Sequence, residues 1–161
     1  MDSSRLLLFE RIVRGVRSIT EEDHVPPQGK SHPFDERNVH PDLPVEVKRL
    51  FDNGHFALAS LEAFKYIDEQ VQHISSDADY GQSLMMRVFG GTPPKLMLNS
   101  NVTTSEQNEQ AGYKFIFAGA MTGIRNPRGH KTGIVDDLDT CLDHLSLASM
   151  LLRKLERAGL R

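Results

Sequence analysis

Apolar residues recur at intervals of three and four along most of this chain, and much less often at intervals of two. This is the spacing of helices that bury one face, whereas half-buried strands alternate every second residue. The longest such stripe runs through residues 55–75 and comprises Phe56, Ala59, Ala63, Phe64, Ile67, Val71 and Ile74. The pattern predicts an all-α fold, a small up-and-down helical bundle.

Capping and breaking residues predict where the helices begin and end. Helices are expected at Val45–Asp52, 55–75 and 82–89, with residues 95–103 as a loop anchored by Leu96, Met97 and Leu98. The next helix should start at a Ser105 cap and stop at Asn126-Pro127, and the last should be capped by Asp136 or Asp137. The charged residues of 55–75 are expected on the surface: Glu62, Lys65, Asp68 and Glu69.

Glycines interrupt the helix that ends at Asn126. Gly112, Gly119 and Gly123 each cost about 1 kcal/mol relative to alanine inside a helix. They predict that another backbone passes close by, either within the bundle or in a second subunit.

The N-terminal part reads differently. Residues 4–19 fit an amphipathic helix with a basic side, and residues 20–44 carry five prolines, which disfavour helix and indicate a long connector. The predicted division is therefore an N-terminal helical extension and Pro-rich connector at 1–36, followed by a helical domain at 37–161.

Composition limits the class of protein. The longest strongly apolar run, residues 115–124, is well short of the roughly 20 residues that span a bilayer. Cys141 is the only cysteine, which fits a reducing cytoplasm and a small buried side chain. The net charge of −3 disfavours nonspecific binding to double-stranded nucleic acid, so any affinity for nucleic acid must come from a local basic cluster. We therefore expect a cytoplasmic protein that does not enter membranes.

Such a cluster occurs at Arg125-Asn126-Pro127-Arg128-Gly129-His130, followed by Lys131. Arginine offers a planar fork of donors for phosphate, and imidazole exchanges protons near neutral pH. Spacing alone does not single out this pair, because Arg17 with His24 and Arg49 with His55 are separated similarly. The alternative is that Arg125 and His130 only satisfy carbonyls and the dipole at a helix C-terminus.

The cluster and its surroundings resemble a known family. Arg125-Asn126 with His130 is similar to the Arg-x(4 to 6)-His signature of HEPN domains. Segments 50–56, 62–65, 117–130 and 145–149 resemble one branch, the conserved-hypothetical Ymh-type proteins. The resemblance covers roughly residues 40–158. One departure is Thr132, where some toxin relatives carry a tyrosine that a partner nucleotidyltransferase modifies, so silencing by that route is not expected here.

The resemblance implies a homodimer in which two Arg/His pairs line one cleft and cleave RNA without a metal or other cofactor. His130 would move protons, Arg125 would stabilise the phosphorane, and Asn126 would orient the histidine or a phosphate oxygen. It also implies a role in antiviral defence, abortive infection or a toxin–antitoxin system, with an antitoxin or defence protein as a further partner.

Four further residues are candidates for binding the substrate instead of for the chemical step. Arg128 and Lys131 are candidates for binding substrate phosphates. Glu62 and Lys65 lie one turn apart and could reach the site, or could form a structural ion pair. The alternative function is a noncatalytic HEPN-like module that binds nucleotide or RNA or simply dimerises. A metal hydrolase has little support, because no His-x3-His pair with an acidic partner is present.

Overall fold

The computed structural model of the chain describes residues 31–131 and 133–161. Its helices are α1 (Pro33–Glu36), α2 (Val45–Asp52), α3 (Phe56–Ser75), α4 (Gly81–Val88), α5 (Thr104–Ala120), the π-helical turn π1 (Met121–Arg125), α6 (Asn126–His130) and α7 (Leu138–Arg157). These residues contain no strand, so the all-α prediction is confirmed. The predicted helix at 4–19, the connector up to residue 30 and Thr132 lie outside the described residues.

Helix α3 is central, because it packs against α2, α7 and π1. Five residues of its apolar stripe are buried as the spacing predicts, Phe64 and Ile67 completely, whereas Phe56 and Ile74 at its two ends are partly buried. Helix α7 supplies the opposing leucines, and Phe89 stacks on Phe117 at 4.5 Å where α4 approaches α5. Each large apolar side chain buried in this way contributes roughly 1.5–3 kcal/mol. Cys141 is buried among them, as predicted.

Two helix starts test the capping predictions. Asp137 caps α7, since its carboxylate accepts a hydrogen bond from the Thr140 N–H at 2.7 Å. The Ser105 cap is wrong, because Thr103 and Glu106 form a reciprocal capping box two residues earlier. This box satisfies two free N–H groups instead of one. The hydroxyl of Ser100 and the Thr103 N–H lower the Glu106 pKa to about 2.

The predicted loop at 95–103 is present, with Leu96 and Leu98 buried as expected. Met97 is 45% exposed, so its assignment as an anchor is wrong. Gln110 from α5 holds the loop in place, accepting from the Leu98 N–H and donating to the Leu96 carbonyl. The register of the loop is therefore set by a buried amide rather than by three consecutive apolar residues.

The prolines of residues 33–44 predict a connector, but this segment packs on the helices. The Phe34 ring lies 5.0 Å from Phe51, and the His40 N–H donates to Ser149 Oγ at 2.8 Å. Pro33 opens α1 and Pro44 immediately precedes α2, positions at which a missing N–H costs little. Pro33–Arg161 form one compact unit.

The prediction that the helix stops at Asn126-Pro127 is wrong. The Asn126 N–H donates to the Met121 carbonyl five residues back, so the backbone widens into π1 just before the proline. A new α-helical turn then starts with Pro127 near its N-terminus, where no N–H is required. Arg128 Nη1 donates to the Ile124 carbonyl, which further stabilises this junction. Consequently His130 ends a helix instead of lying in a turn.

The glycine prediction fails within the chain. A Cβ built on Gly112, Gly119 or Gly123 meets no atom within 4 Å, so no backbone of the bundle approaches them. These glycines share one exposed face with Phe115 and Ile116, which are 59% and 40% exposed. We call Gly112, Phe115, Ile116, Gly119 and Gly123 the α5 face. None of the described helices is both long and apolar enough to cross a bilayer.

Candidate active site

The motif residues lie where π1 meets α6. Arg125 is the last residue of π1, and its side chain is 20% exposed. Its Nη1 donates to Asn126 Oδ1 at 3.1 Å, while Nε has no hydrogen-bond partner among the described residues. Turns of π-helix inside α-helices are often found at functional sites. Arg125 therefore keeps donors that its described neighbours do not use.

The nearest negative charge to Arg125 is Asp68 on α3. Its Oδ2 lies 3.7 Å from Arg125 Nη2, a charge pair too long for a hydrogen bond, and its Oδ1 accepts from the Gly81 N–H at 2.8 Å. The prediction that Asp68 lies on the surface is wrong, because the residue is 4% exposed. Burial raises the pKa of this carboxyl, and the Gly81 N–H and Arg125 oppose that shift.

Tyr80 lies on another side of Arg125. The guanidinium carbon is 5.8 Å from the centre of the tyrosine ring, within the range of a cation–π contact. Tyr80 precedes α4, and the residue is 61% exposed. Arg125 is thus placed by residues from three elements: Asp68 of α3, Tyr80 before α4 and Asn126 of α6.

His130 is exposed at the C-terminal end of α6. Because α-helical residues advance by about 100° each, positions five apart project roughly 140° from each other around the axis. No hydrogen bond or ion pair between Arg125 and His130 is found in the part of the chain that the structure describes. The spacing therefore predicts that the two side chains of one protomer point in different directions around the helix axis.

Arg128, a predicted phosphate ligand, is fully engaged inside the protein. Its Nε and Nη2 donate to the two carboxylate oxygens of Asp136 at 2.7 and 2.6 Å. The two side chains are 9% and 6% exposed. This bidentate pair links α6 to the segment that precedes α7, so Arg128 stabilises the position of the motif.

Asp136 also faces His144, which in turn contacts Ser60. The arrangement lacks the geometry of a catalytic triad, since Ser60 Oγ at 3.1 Å and Asp136 Oδ2 at 3.8 Å both face the same ring nitrogen, Nδ1. A triad needs the serine and the carboxylate on different nitrogens. Burial, followed by the charge of Arg128, lowers the pKa of His144. This cluster is structural.

Lys131, the other predicted phosphate ligand, is exposed one residue beyond α6. It lines a cavity of about 270 Å³ together with Leu58, Arg128 and Ile134. Lys65 Nζ binds both carboxylate oxygens of Glu62 at 2.9 and 3.0 Å. Glu62 and Lys65 thus form the ion pair that was the alternative to a role in the site.

One group of potential metal ligands occurs among the described residues, away from the motif: His40, Asp42 and Glu156. Arg161 already provides a positive charge there, with Nη2 3.0 Å from Asp42 Oδ2 and Nη1 3.5 Å from Glu156 Oε1. His40 uses both ring nitrogens, one accepting from the Asp42 N–H and one facing Glu156 at 3.1 Å. The group is therefore an ion-pair network.

Sequence reasoning missed Asp68, Tyr80 and Asp136. A signal for Asp68 existed, because it lies four residues after Phe64 and three before Val71, on the buried stripe of α3. A charged residue on an apolar stripe indicates a partner of opposite charge. No comparable local signal marks Tyr80 or Asp136.

Comparison with known proteins gives one match. A family model described as a protein of unknown function, Hypoth_Ymh, matches residues 37–155. Searches of the curated proteins and of the solved structures returned no match. The resemblance to Ymh-type proteins is therefore confirmed over nearly the expected range, whereas the wider HEPN assignment stays a prediction. Because the match covers well over half of its length, the chain belongs to the Hypoth_Ymh family.

Proposed function

We propose that this domain is a metal-independent endoribonuclease whose active site combines Arg125 and His130 from two copies of the chain. The observation that carries the proposal is the state of the two side chains. Arg125 has donors left over and is held by a carboxylate 3.7 Å away, and His130 is exposed on the same helical segment. A partly shielded guanidinium from one copy and an accessible imidazole from the other suit a phosphodiester substrate.

RNA supplies its own nucleophile, the 2′-hydroxyl. A neutral His130 removes the 2′-hydroxyl proton while the 2′-oxygen forms a bond to phosphorus. Arg125 donates hydrogen bonds to the non-bridging oxygens as negative charge grows on them. The P–O5′ bond then breaks, and the protonated His130 of the second copy gives its proton to the departing oxygen. The products are a 2′,3′-cyclic phosphate and a 5′-hydroxyl.

The α5 face supports the requirement for a second copy. Its exposed members recur at helical spacing, and the three glycines leave room for a close helix–helix contact. With a rise of about 1.5 Å per residue, a two-fold crossing near Gly123 brings residues 125–130 of both copies within roughly 10 Å of the crossing point. The same contact covers Phe115 and Ile116, and the proposal requires this dimer for cleavage.

The dimer is tested by Ile116→Glu and Gly119→Leu. Both positions point away from the protomer core, so each variant should fold. Each should have the mass of a monomer by size-exclusion chromatography with light scattering, and neither should cleave RNA. Val102→Glu, at a 75% exposed position outside this face, is the control. If both variants remain dimers, the α5 face is not the dimer interface.

The chemistry is tested with purified protein, single-stranded RNA and excess EDTA. The wild-type protein should cleave, and His130→Ala and Arg125→Ala should each reduce the rate at least a hundredfold, as expected for losing proton transfer or charge stabilisation. Lys131→Ala should mainly weaken RNA binding. Full activity of His130→Ala would show that the assignment of the site is wrong.

The second candidate is a noncatalytic module that binds RNA or nucleotide. It is favoured by the helical spacing of Arg125 and His130, which predicts that the two side chains of one protomer project to different sides of the helix. RNA binding without cleavage in any buffer would select it.

A role in defence or a toxin–antitoxin system extends the first candidate: expression of the wild-type chain should then arrest growth, and expression of His130→Ala should not.

A further inference from the structure

Tyr80 is an exposed aromatic side chain on a fixed backbone. Its N–H donates to Asp79 Oδ1 at 2.9 Å, and its carbonyl accepts from Ser83 Oγ at 3.1 Å. The next N–H, that of Gly81, is held by the buried Asp68. The residue is nevertheless 61% exposed. Because the backbone of Tyr80 is fixed, less conformational entropy is lost when a ligand binds to its side chain.

The other two tyrosines of the chain have structural contacts that explain their position. Tyr66 packs on the core and accepts a hydrogen bond from Arg161, and Tyr113 packs on the core beneath Lys154. Tyr80 does not belong to the core. Its contact with Arg125 at 5.8 Å is instead a contact with the residue to which the proposed function assigns the scissile phosphate.

One buried carboxylate positions both groups. Asp68 Oδ1 binds the residue that follows Tyr80, while Asp68 Oδ2 faces the Arg125 guanidinium. The acidic residues just before Tyr80 do not oppose an anionic ligand strongly, because Arg87 pairs with Asp77 at 2.6 Å and with Asp79 at 3.1 Å. An aromatic surface and a guanidinium are therefore held side by side.

We infer that Tyr80 is the stacking surface for a nucleobase adjacent to the phosphate that Arg125 binds. A nucleotide offers a planar base and an anionic phosphate on one ribose, and the Tyr80–Arg125 pair is complementary to both. This inference rests on the proposed function and adds a binding residue for single-stranded RNA. Stacking tolerates any base, so the contact favours unpaired over paired RNA without specifying sequence.

The magnitude follows from stacking energies. Alanine substitution of an aromatic that stacks on a base weakens binding by about 5- to 150-fold. Phenylalanine keeps the ring and should retain affinity. Leucine keeps apolar bulk without a π-face and should behave like alanine. The backbone bonds of residue 80 do not depend on its side chain, so all three variants should fold, which circular dichroism checks.

The test measures binding in the His130→Ala background, so that cleavage does not interfere. Fluorescence anisotropy compares an end-labelled single-stranded RNA with a matched oligomer of abasic ribose phosphates that carries the same charge. We expect Tyr80→Ala and Tyr80→Leu to weaken RNA binding at least fivefold and to leave abasic binding unchanged, with Tyr80→Phe within twofold of the parent. Equal loss on both oligomers, or no loss on either, overturns the inference.

A parallel cleavage assay of the wild-type protein separates this inference from the proposed function. Cleavage by the wild-type protein with no effect of Tyr80→Ala on RNA binding overturns the role of Tyr80 and leaves the nuclease standing. Base-dependent binding through Tyr80 with no cleavage by the wild-type protein supports the stacking surface and overturns the nuclease. Failure of the His130→Ala parent to bind either oligomer overturns the stacking surface, and it overturns both proposals when the wild-type protein also fails to cleave.

Discussion

Replacing Arg128 by methionine tests whether this residue stabilises the motif or contacts substrate. The side chain makes two hydrogen bonds to Asp136 at 2.7 and 2.6 Å, and the two residues are 9% and 6% exposed. Removing one partner of such a pair leaves a buried charge without compensation and costs about 3–5 kcal/mol. That is a large fraction of the roughly 5–15 kcal/mol that stabilises a typical domain.

Urea unfolding followed by circular dichroism measures this loss. With a slope of about 2 kcal/mol per molar urea, the midpoint of Arg128→Met should fall by roughly 1.5–2.5 M. The double variant Arg128→Met with Asp136→Leu removes the isolated charge as well and should recover most of the loss. Arg49→Met breaks an exposed ion pair with Glu46 and is the control whose midpoint should hardly move. A shift below about 0.5 M for Arg128→Met would refute the structural role and return Arg128 to the list of substrate ligands.

Two further substitutions test buried titratable groups. Burial lowers the pKa of His144, so the unfolded chain takes up a proton at a higher pH than the folded chain does, and stability should fall as the pH drops below about 6.5. In His144→Gln the urea midpoint should depend less on pH between 7.5 and 5.5 than in the wild-type protein. The same pH dependence in both proteins would contradict this. Asp68→Asn keeps an acceptor for the Gly81 N–H, so its midpoint at pH 7 should change little while RNA cleavage falls at least tenfold. Wild-type cleavage by Asp68→Asn would show that Arg125 does not need this carboxylate.

The long helices could be predicted from the sequence because their determinants are local. Val45–Asp52 is found with the predicted bounds, and α3 begins one residue later than predicted, after His55. Asn53-Gly54 stops the first of these, and apolar spacing defines the second. Such features act within one or two turns and therefore do not require knowledge of the tertiary contacts.

Pro127 shows where a local rule failed. The rule that proline ends a helix is sound for an uninterrupted α-helix, but a single wide turn at 121–125 moves the hydrogen-bond register so that no donor is needed at the proline. Arg128 then donates to the Ile124 carbonyl. This arrangement depends on Asp136 holding the arginine, a contact that residue spacing does not indicate.

The candidate site was only half visible in the sequence. The motif itself, Arg125-Asn126 and His130, was identified from its pattern, whereas Asp68 and Tyr80 come from elements more than 40 residues earlier in the chain. Their proximity to Arg125 is a product of the tertiary fold. The glycines predict a close neighbour either in the bundle or in a second subunit, and nothing in the described part of the chain approaches Gly119 or Gly123, so only the second alternative stays a prediction.

The end groups of the cleavage products show whether the 2′-hydroxyl of the RNA is the nucleophile. Wild-type protein is incubated in EDTA with a single-stranded RNA and with the same sequence carrying 2′-O-methyl ribose throughout, and the fragments are weighed by mass spectrometry. Attack by the 2′-hydroxyl should give 2′,3′-cyclic phosphate and 5′-hydroxyl ends from the RNA and leave the methylated oligomer intact. Cleavage of the methylated oligomer, or fragments with 3′-hydroxyl and 5′-phosphate ends, would contradict attack by the 2′-hydroxyl at an Arg125–His130 site.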